Sequence, residues 1–237
     1  MIGSSIRLAL SFAFLASGLS AAEPLKILCM GDSITQGGNK PEEYTYRLPL
    51  QRKLAEAGIA FDFIGTRTKG LNASATWPDT AEGRPFDADH EGYYGAKTAF
   101  VVTKVKAALP QIGTPDVVLV HLGTNDQKTT DPAAEIIAPL EDLVRELRVR
   151  NPKVKVFVGQ LAFNGGASVE FRPLFAGMAE RLSTADSPVV AIDHYKGWVE
   201  NPALPGTDTF DWAHPNPQGQ EKMASKWFAG MTAAGVK

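Results

Sequence analysis

Cysteine is almost absent: 237 residues contain one, Cys29, which excludes a scaffold stapled by internal disulfides. Charge of one sign is also missing, with 24 Lys+Arg against 26 Asp+Glu and a formal net charge of -2. That balance provides no general field for nucleic acid or anionic lipid, so neither is an expected partner. Beyond the first twenty or so residues no apolar run approaches the ~20 needed to cross a bilayer. The four histidines stand far apart, with no H-E-x-x-H, H-x-H or paired-Cys spacing, so no metal is indicated. No Walker motif and no G-x-G-x-x-G after a strand appears, so no nucleotide cofactor is expected. Internal repeats and low-complexity tracts are missing as well. What is present, 44% hydrophobic and 21% charged residues, is the composition of a globular chain.

The N-terminus reads as a processing signal. Arg7 precedes the apolar run Leu8 to Leu19, and Ser20-Ala21-Ala22 supplies small residues before Glu23-Pro24. That order predicts a secretory signal over residues 1–22, cleavage after Ala22, and a secreted or periplasmic product. A retained anchor helix is the alternative. Residues 23–237 then form one domain. Cys29 lies in the apolar stretch Leu25 to Met30 and reads as a buried thiol, not a nucleophile.

Strand-length apolar runs recur at Leu25–Met30, Ile59–Ile64, Val117–Leu122, Val154–Val158 and Val189–Ile192. Several are apolar at consecutive positions, which suits strands covered on both faces. Between them, helical spacing links Tyr46, Leu50, Leu54 and Ala57, then Val101, Val105, Ala108 and Leu109, then Leu140, Leu143, Val144 and Leu147. Asp131-Pro132 predicts an N-cap and first-turn proline, and Pro139 a kink or a later start. Two more helices fit about Val169–Leu182 and about Pro217–Ala234. This alternation predicts an α/β fold with a mainly parallel sheet, whose sites lie at the C-terminal strand ends. Thr66 to Gly95, rich in Gly, Pro, Asp and Thr, reads as a long surface loop.

Reactive side chains collect at those strand ends. The first strand runs into Gly31-Asp32-Ser33-Ile34-Thr35, the third into Gly123-Thr124-Asn125-Asp126, and Asp211-Trp212-Ala213-His214 precedes the last helix. A serine hydroxyl is a weak nucleophile and needs an imidazole to take its proton; a carboxylate in turn fixes the imidazole tautomer. Ser33, His214 and Asp211 supply these groups, and the separation of three positions between Asp211 and His214 lets their side chains meet within one turn. Charge developing on a carbonyl oxygen needs preorganised donors, for which the Asn125 amide and the backbone N–H groups of Ser33 and a loop glycine are suited.

These blocks resemble, in order, those of the SGNH (GDSL) hydrolases: Gly31-Asp32-Ser33, a glycine within His90-Glu91-Gly92-Tyr93-Tyr94-Gly95, Gly123-Thr124-Asn125-Asp126, and Asp211-x-x-His214. The resemblance spans the chain from Leu25 to the final helix. It implies a three-layer α/β/α, flavodoxin-like fold with about five strands, catalytic Ser33, Asp211 and His214, and an oxyanion hole of Ser33, Asn125 and either Gly95, which we prefer, or Gly92. Within the group the chain is most similar to secreted carbohydrate esterases that remove O-acetyl groups, such as acetylxylan esterases. The substrate expected is therefore an acetylated carbohydrate or other small ester. Alternatives are a lysophospholipase or thioesterase with the same triad, and a secreted carbohydrate-binding protein without turnover.

Other residues read structurally. Asp32, Asp126 and Thr35 are expected to bond backbone N–H groups in their own turns. His121 reads as a hydrogen-bonded core residue, and His194 as the partner of Asp193. Trp77, Tyr93, Tyr94, Phe163, Trp198 and Trp212 fall in loops, where each either lines the site or packs.

Overall fold

The computed structural model describes residues 23–72, 77–78 and 84–237; the expected signal segment 1–22 lies outside them. Strand β1 (Leu25–Gly31) opens the fold and is followed by the one-turn helix α1 (Ser33–Gln36), α2 (Arg47–Glu56) and β2 (Phe61–Ile64). Next come the two-residue strand β3 (Glu91–Gly92), α3 (Thr98–Ile112), β4 (Val117–His121), α4 (Ala138–Arg150), β5 (Lys155–Gln160), α5 (Ser168–Leu182), β6 (Val189–Asp193) and α6 (Pro217–Ala233). The sheet runs β2-β1-β4-β5-β6 and every pairing is parallel. β3 pairs with Met30 and Gly31 of β1, continuing the edge that β2 covers at Leu25 to Leu28. The expected α/β architecture, with five main strands, is the one found.

Alternation along the strands builds two cores. Ile27, Cys29, Val117, Leu119 and Phe157 pack against Leu50 and Leu54 of α2 and Met223 and Trp227 of α6. Their neighbours Leu28, Met30, Val118, Val120, Val156 and Val158 pack on the opposite side with side chains of α3, α4 and α5. Both faces are covered, which is why these strands are apolar at successive positions. The Cys29 thiol is fully buried, and burial pushes its pKa up to about 12.

Element ends differ from expectation where local chemistry intervenes. β2 starts at Phe61 because the chain spends Ala57 to Ala60 closing α2: Ile59 N–H donates to Leu54 O, and Gly58 turns the chain at φ +70°. Asp131 Oδ1 accepts the Ala134 N–H at 3.0 Å, as an N-cap should. A π-helical turn, Ala133–Ile137, runs directly into α4, so Pro139 sits where the winding changes from π to α. The long loop contains β3 and an antiparallel bridge between Arg67 and His90.

Two histidine readings are corrected. His121 is buried in β4, but neither ring nitrogen has a hydrogen-bond partner among the described residues. His194 does not pair with Asp193, whose carboxylate binds Lys196 at 2.8 Å and Lys226 at 3.4 Å. Instead the His194 ring packs edge-on against Trp227, with centroids 4.5 Å apart, and lies 5.7 Å from the His121 ring. Gly159 makes the room, since a Cβ there would stand 2.8 Å from His121 and 2.9 Å from His194. Burial lowers the pKa of both rings, that of His121 to about 4. Among the described residues no helix is long and apolar enough to cross a membrane.

Candidate active site

The chain leaves β1, fills β2 on one side, and returns to place β4 on the other. The residues after β1 and β4 therefore share the crevice that opens where a parallel sheet reverses its order. Ser33 begins α1 there, and the Asp32 carboxylate caps it by accepting the Ile34 N–H at 2.9 Å. Gly31 permits the tight approach: a Cβ would lie 2.2 Å from Thr35 Oγ1 and 2.5 Å from His121 O.

Ser33 Oγ lies 3.0 Å from His214 Nε2. His214 Nδ1 lies 2.9 and 3.0 Å from the two oxygens of Asp211, and Asp211 Oδ1 also accepts the His214 backbone N–H at 2.9 Å. Residues 181 apart thus form one hydrogen-bonded chain. The carboxylate holds the imidazole so that Nδ1 carries the proton and Nε2 faces the hydroxyl as an acceptor. Between Asp211 and His214, Trp212 is held at φ +74° and remains 48% exposed beside the site. A non-glycine residue in that region marks a turn fixed by its surroundings, here by Thr209 Oγ1 accepting the Trp212 N–H and by a Phe210 to His214 backbone bond.

Burial alone would raise the Asp211 pKa, but an ion pair with Lys40, the His214 backbone N–H and the His214 ring outweigh it and hold the carboxyl down at about 2. Asp32 goes the other way. Complete burial pushes it up to about 6 despite the Ile34 N–H and the nearby His214.

Asn125, after β4, directs Nδ2 to Ala96 O at 3.0 Å and, less closely, to Asp32 Oδ2 at 3.4 Å. The amide thus lies against the residue preceding Ser33. The two glycines proposed from sequence separate clearly. The Gly92 N–H donates to His90 Nδ1 at 2.9 Å, and Gly92 is buried in β3 against Gln36. Gly95 has φ +71°, open space where a side chain would be, and an N–H with no partner among the described residues. That N–H is open to an incoming oxyanion where the Gly92 N–H is already engaged, which favours Gly95.

Three turn readings divide. Asp32 bonds within its own turn as expected. Asp126 instead reaches Thr98, accepting its N–H at 3.1 Å and its hydroxyl at 2.8 Å, and so anchors the start of α3 to the loop that carries Asn125. The Thr35 hydroxyl meets Tyr46 OH at 3.1 Å and not a backbone group. Of the loop aromatics, Tyr94 stacks on His214 with centroids 5.3 Å apart and planes 19° from parallel, while Trp198 is buried in the α2/α6 core and Tyr93 packs against the other core. Sequence reasoning missed Lys40, which has no motif around it and lies 171 residues from Asp211. It also missed Asn39, whose Nδ2 donates to Tyr94 OH at 3.2 Å, and Gln36, whose Oε1 accepts the Tyr94 N–H at 2.7 Å. Among the described residues no group of three or more His, Cys, Asp or Glu is placed to hold a metal ion.

A parallel α/β sheet with this serine, histidine and carboxylate at its C-terminal edge has the architecture of the SGNH hydrolases. The chain belongs to the GDSL-like lipase/acylhydrolase family, whose model matches residues 29–222. It is 27% identical to a multidomain esterase of Ruminococcus flavefaciens over 95% of this chain, and it spans 31% of that protein's length. Among solved structures it is similar to a carbohydrate esterase of family 3 from Talaromyces cellulolyticus, with 26% identity, TM-score 0.68, and 88% and 97% of the two chains covered. It is likewise similar to an acetyl esterase, crystallised as a serine-to-alanine mutant with an acetate ion, with 26% identity, TM-score 0.70 and the same coverage.

Proposed function

We propose that this esterase removes O-acetyl groups from carbohydrate through an acetyl-serine intermediate, with Ser33 as nucleophile, His214 as general base and acid, and Asp211 as the group that orients it. The observation that carries the reading is the unbroken chain from Ser33 Oγ through His214 to Asp211. In the proposed cycle His214 Nε2 takes the Ser33 proton as Oγ attacks the acetyl carbonyl. The oxyanion is met by the N–H groups of Ser33 and Gly95 and by Asn125 Nδ2. Collapse breaks the bond to the sugar oxygen, which leaves with the proton from His214. Water, deprotonated by the same nitrogen, then releases acetate and restores Ser33.

The choice of an acetylated sugar is supported by likeness to proteins described as a family 3 carbohydrate esterase and an acetyl esterase. Export by a signal over residues 1–22 fits a polymeric substrate outside the cell. The direct test is acetate release from acetylated xylo-oligosaccharides by the purified protein, with Ser33→Ala alongside. Serine-dependent release is expected; its absence, with hydrolysis of octanoyl esters exceeding that of acetyl esters, would move the substrate to longer acyl chains.

A further inference from the structure

The leaving oxygen of the ester must come to His214 Nε2, since that nitrogen returns the proton. Whatever is attached to that oxygen therefore rests against the surroundings of His214. Part of those surroundings leads to a neighbouring cleft. The Tyr94 ring lies on His214, and Tyr94 OH accepts from Asn39. The next residue, Lys40, forms an ion pair with Asp211. Asn39 and Lys40 both line a cleft of about 230 Å³ bounded by Gly38 to Tyr44 and by Asn72 and Trp77.

The cleft walls combine two chemistries. Tyr44 and Trp77 meet edge to face with centroids 6.4 Å apart and give it aromatic surface. Asn39, Lys40 and Glu42 add an amide, a cation and a carboxylate. A pyranose ring has apolar C–H faces and a rim of hydroxyls, so it suits such walls; an acyl chain gains nothing from the polar groups and loses their solvation. The loop is also preformed. Glu43 Oε2 accepts the N–H groups of Asn39 and Lys40, each at 2.9 Å, and Gly38 N–H donates to Glu43 O at 2.8 Å. Glu42 and Thr45 are held at φ +61° and +69°, a conformation non-glycine residues keep only where their surroundings impose it.

We infer that this cleft is the subsite for the sugar that departs, so that the enzyme selects its substrates chiefly by the alcohol side of the ester. The inference rests on the proposed esterase reading and adds to it the location of the carbohydrate. Lys40 joins the two regions, since the same side chain lines the cleft and binds the triad carboxylate.

The test compares two acetyl esters that give the same acyl-enzyme: an acetylated xylo-oligosaccharide and ethyl acetate, which has no ring to occupy the cleft. In Tyr44→Ala and in Trp77→Ala, the ratio of kcat/KM for the oligosaccharide to that for ethyl acetate is expected to fall about tenfold or more. Trp77 also packs on Phe86, with centroids 5.4 Å apart, so a lowered melting temperature in Trp77→Ala would leave the half-buried Tyr44 to decide. An unchanged ratio in the folded variants, with the unaltered protein still active on the oligosaccharide, overturns the subsite and leaves the esterase reading standing. A change confined to the preference for octanoyl over acetyl esters of one alcohol also overturns it, by placing the acyl chain in the cleft. Failure of the unaltered protein to hydrolyse the oligosaccharide overturns both.

Discussion

Lys40 shows how a single side chain sets the electrostatics of the site. Its ammonium binds the carboxylate that faces His214 and helps to keep that carboxyl ionised far below neutral pH. The same cation offsets part of the negative field that Asp211 exerts on the imidazole. Lys40→Met removes that ammonium, so the Asp211 carboxyl should take up its proton at a higher pH than in the unaltered protein. Carboxyl titration followed by NMR is expected to show the upward shift; coincident titration curves would remove Lys40 from the electrostatic account. Asn125→Ala should lower kcat by about 10²- to 10³-fold with little change in KM, because an oxyanion donor acts mainly on the transition state. Ser33→Ala should abolish turnover, which steady-state assays on any accepted ester will show.

At the scale of elements, α1 and β3 are the pieces that place Ser33, and both depend on glycines. A Cβ at Gly31 would strike Thr35 and the His121 carbonyl, and one at Gly92 would lie 2.5 Å from Gln36 N. Backbone cannot yield as a flexible side chain can. Gly31→Ala is therefore expected to cost well over about 2 kcal/mol, with the midpoint of urea unfolding shifted accordingly. Gly95→Ala meets open space and should cost only the left-handed backbone penalty of about 1–2 kcal/mol. Equal losses at the two positions would contradict this ordering. In the sheet itself, Leu28→Ala opens a void between β1 and the α3 side and should cost about 2–5 kcal/mol.

For the whole molecule, buried histidines make stability depend on pH. His121 is fully buried and neutral, with a folded pKa near 4 against 6.5 for the free group. Above pH 6.5 both states are neutral there and nothing is lost. As pH falls below 6.5 the unfolded chain binds protons that the folded chain refuses, so stability drops until the folded pKa is reached. At pH 5 the loss from this group is about 2 kcal/mol. His194 acts in the same direction; Lys226, whose ammonium also lowers the His194 pKa, bonds the Asp193 and Lys196 carbonyls and pairs with the Asp193 carboxylate. Asp32 opposes them, because its raised pKa of about 6 lets the folded state take up a proton first as pH falls. Comparing variants cancels that opposing contribution. The melting temperature of His121→Leu minus that of the unaltered protein should rise from pH 7 to pH 5, because the variant lacks the buried ring; parallel curves would rule out this origin.

Much of this was legible in the sequence because the signals are local. Consecutive apolar residues in Val117 to Leu122 announce a strand buried on both sides, and Gly31-Asp32-Ser33, Gly123-Thr124-Asn125-Asp126 and Asp211-x-x-His214 are short blocks whose chemistry can be read in place. By itself the sequence determined the α/β class, the approximate strands and helices, and the residues proposed for the chemistry. Only the tertiary structure decided what depends on distance through space: the order β2-β1-β4-β5-β6, the pairing of β3 with β1, and, among the described residues, the free N–H of Gly95 against the engaged one of Gly92 and the His121 and His194 ring nitrogens without hydrogen bonds. The same holds for Lys40 on Asp211 and Tyr94 on His214, contacts across 171 and 120 residues. A side chain's neighbours along the chain set its local backbone, but the parallel sheet brings distant loops to one edge, and no local pattern records which of them will meet.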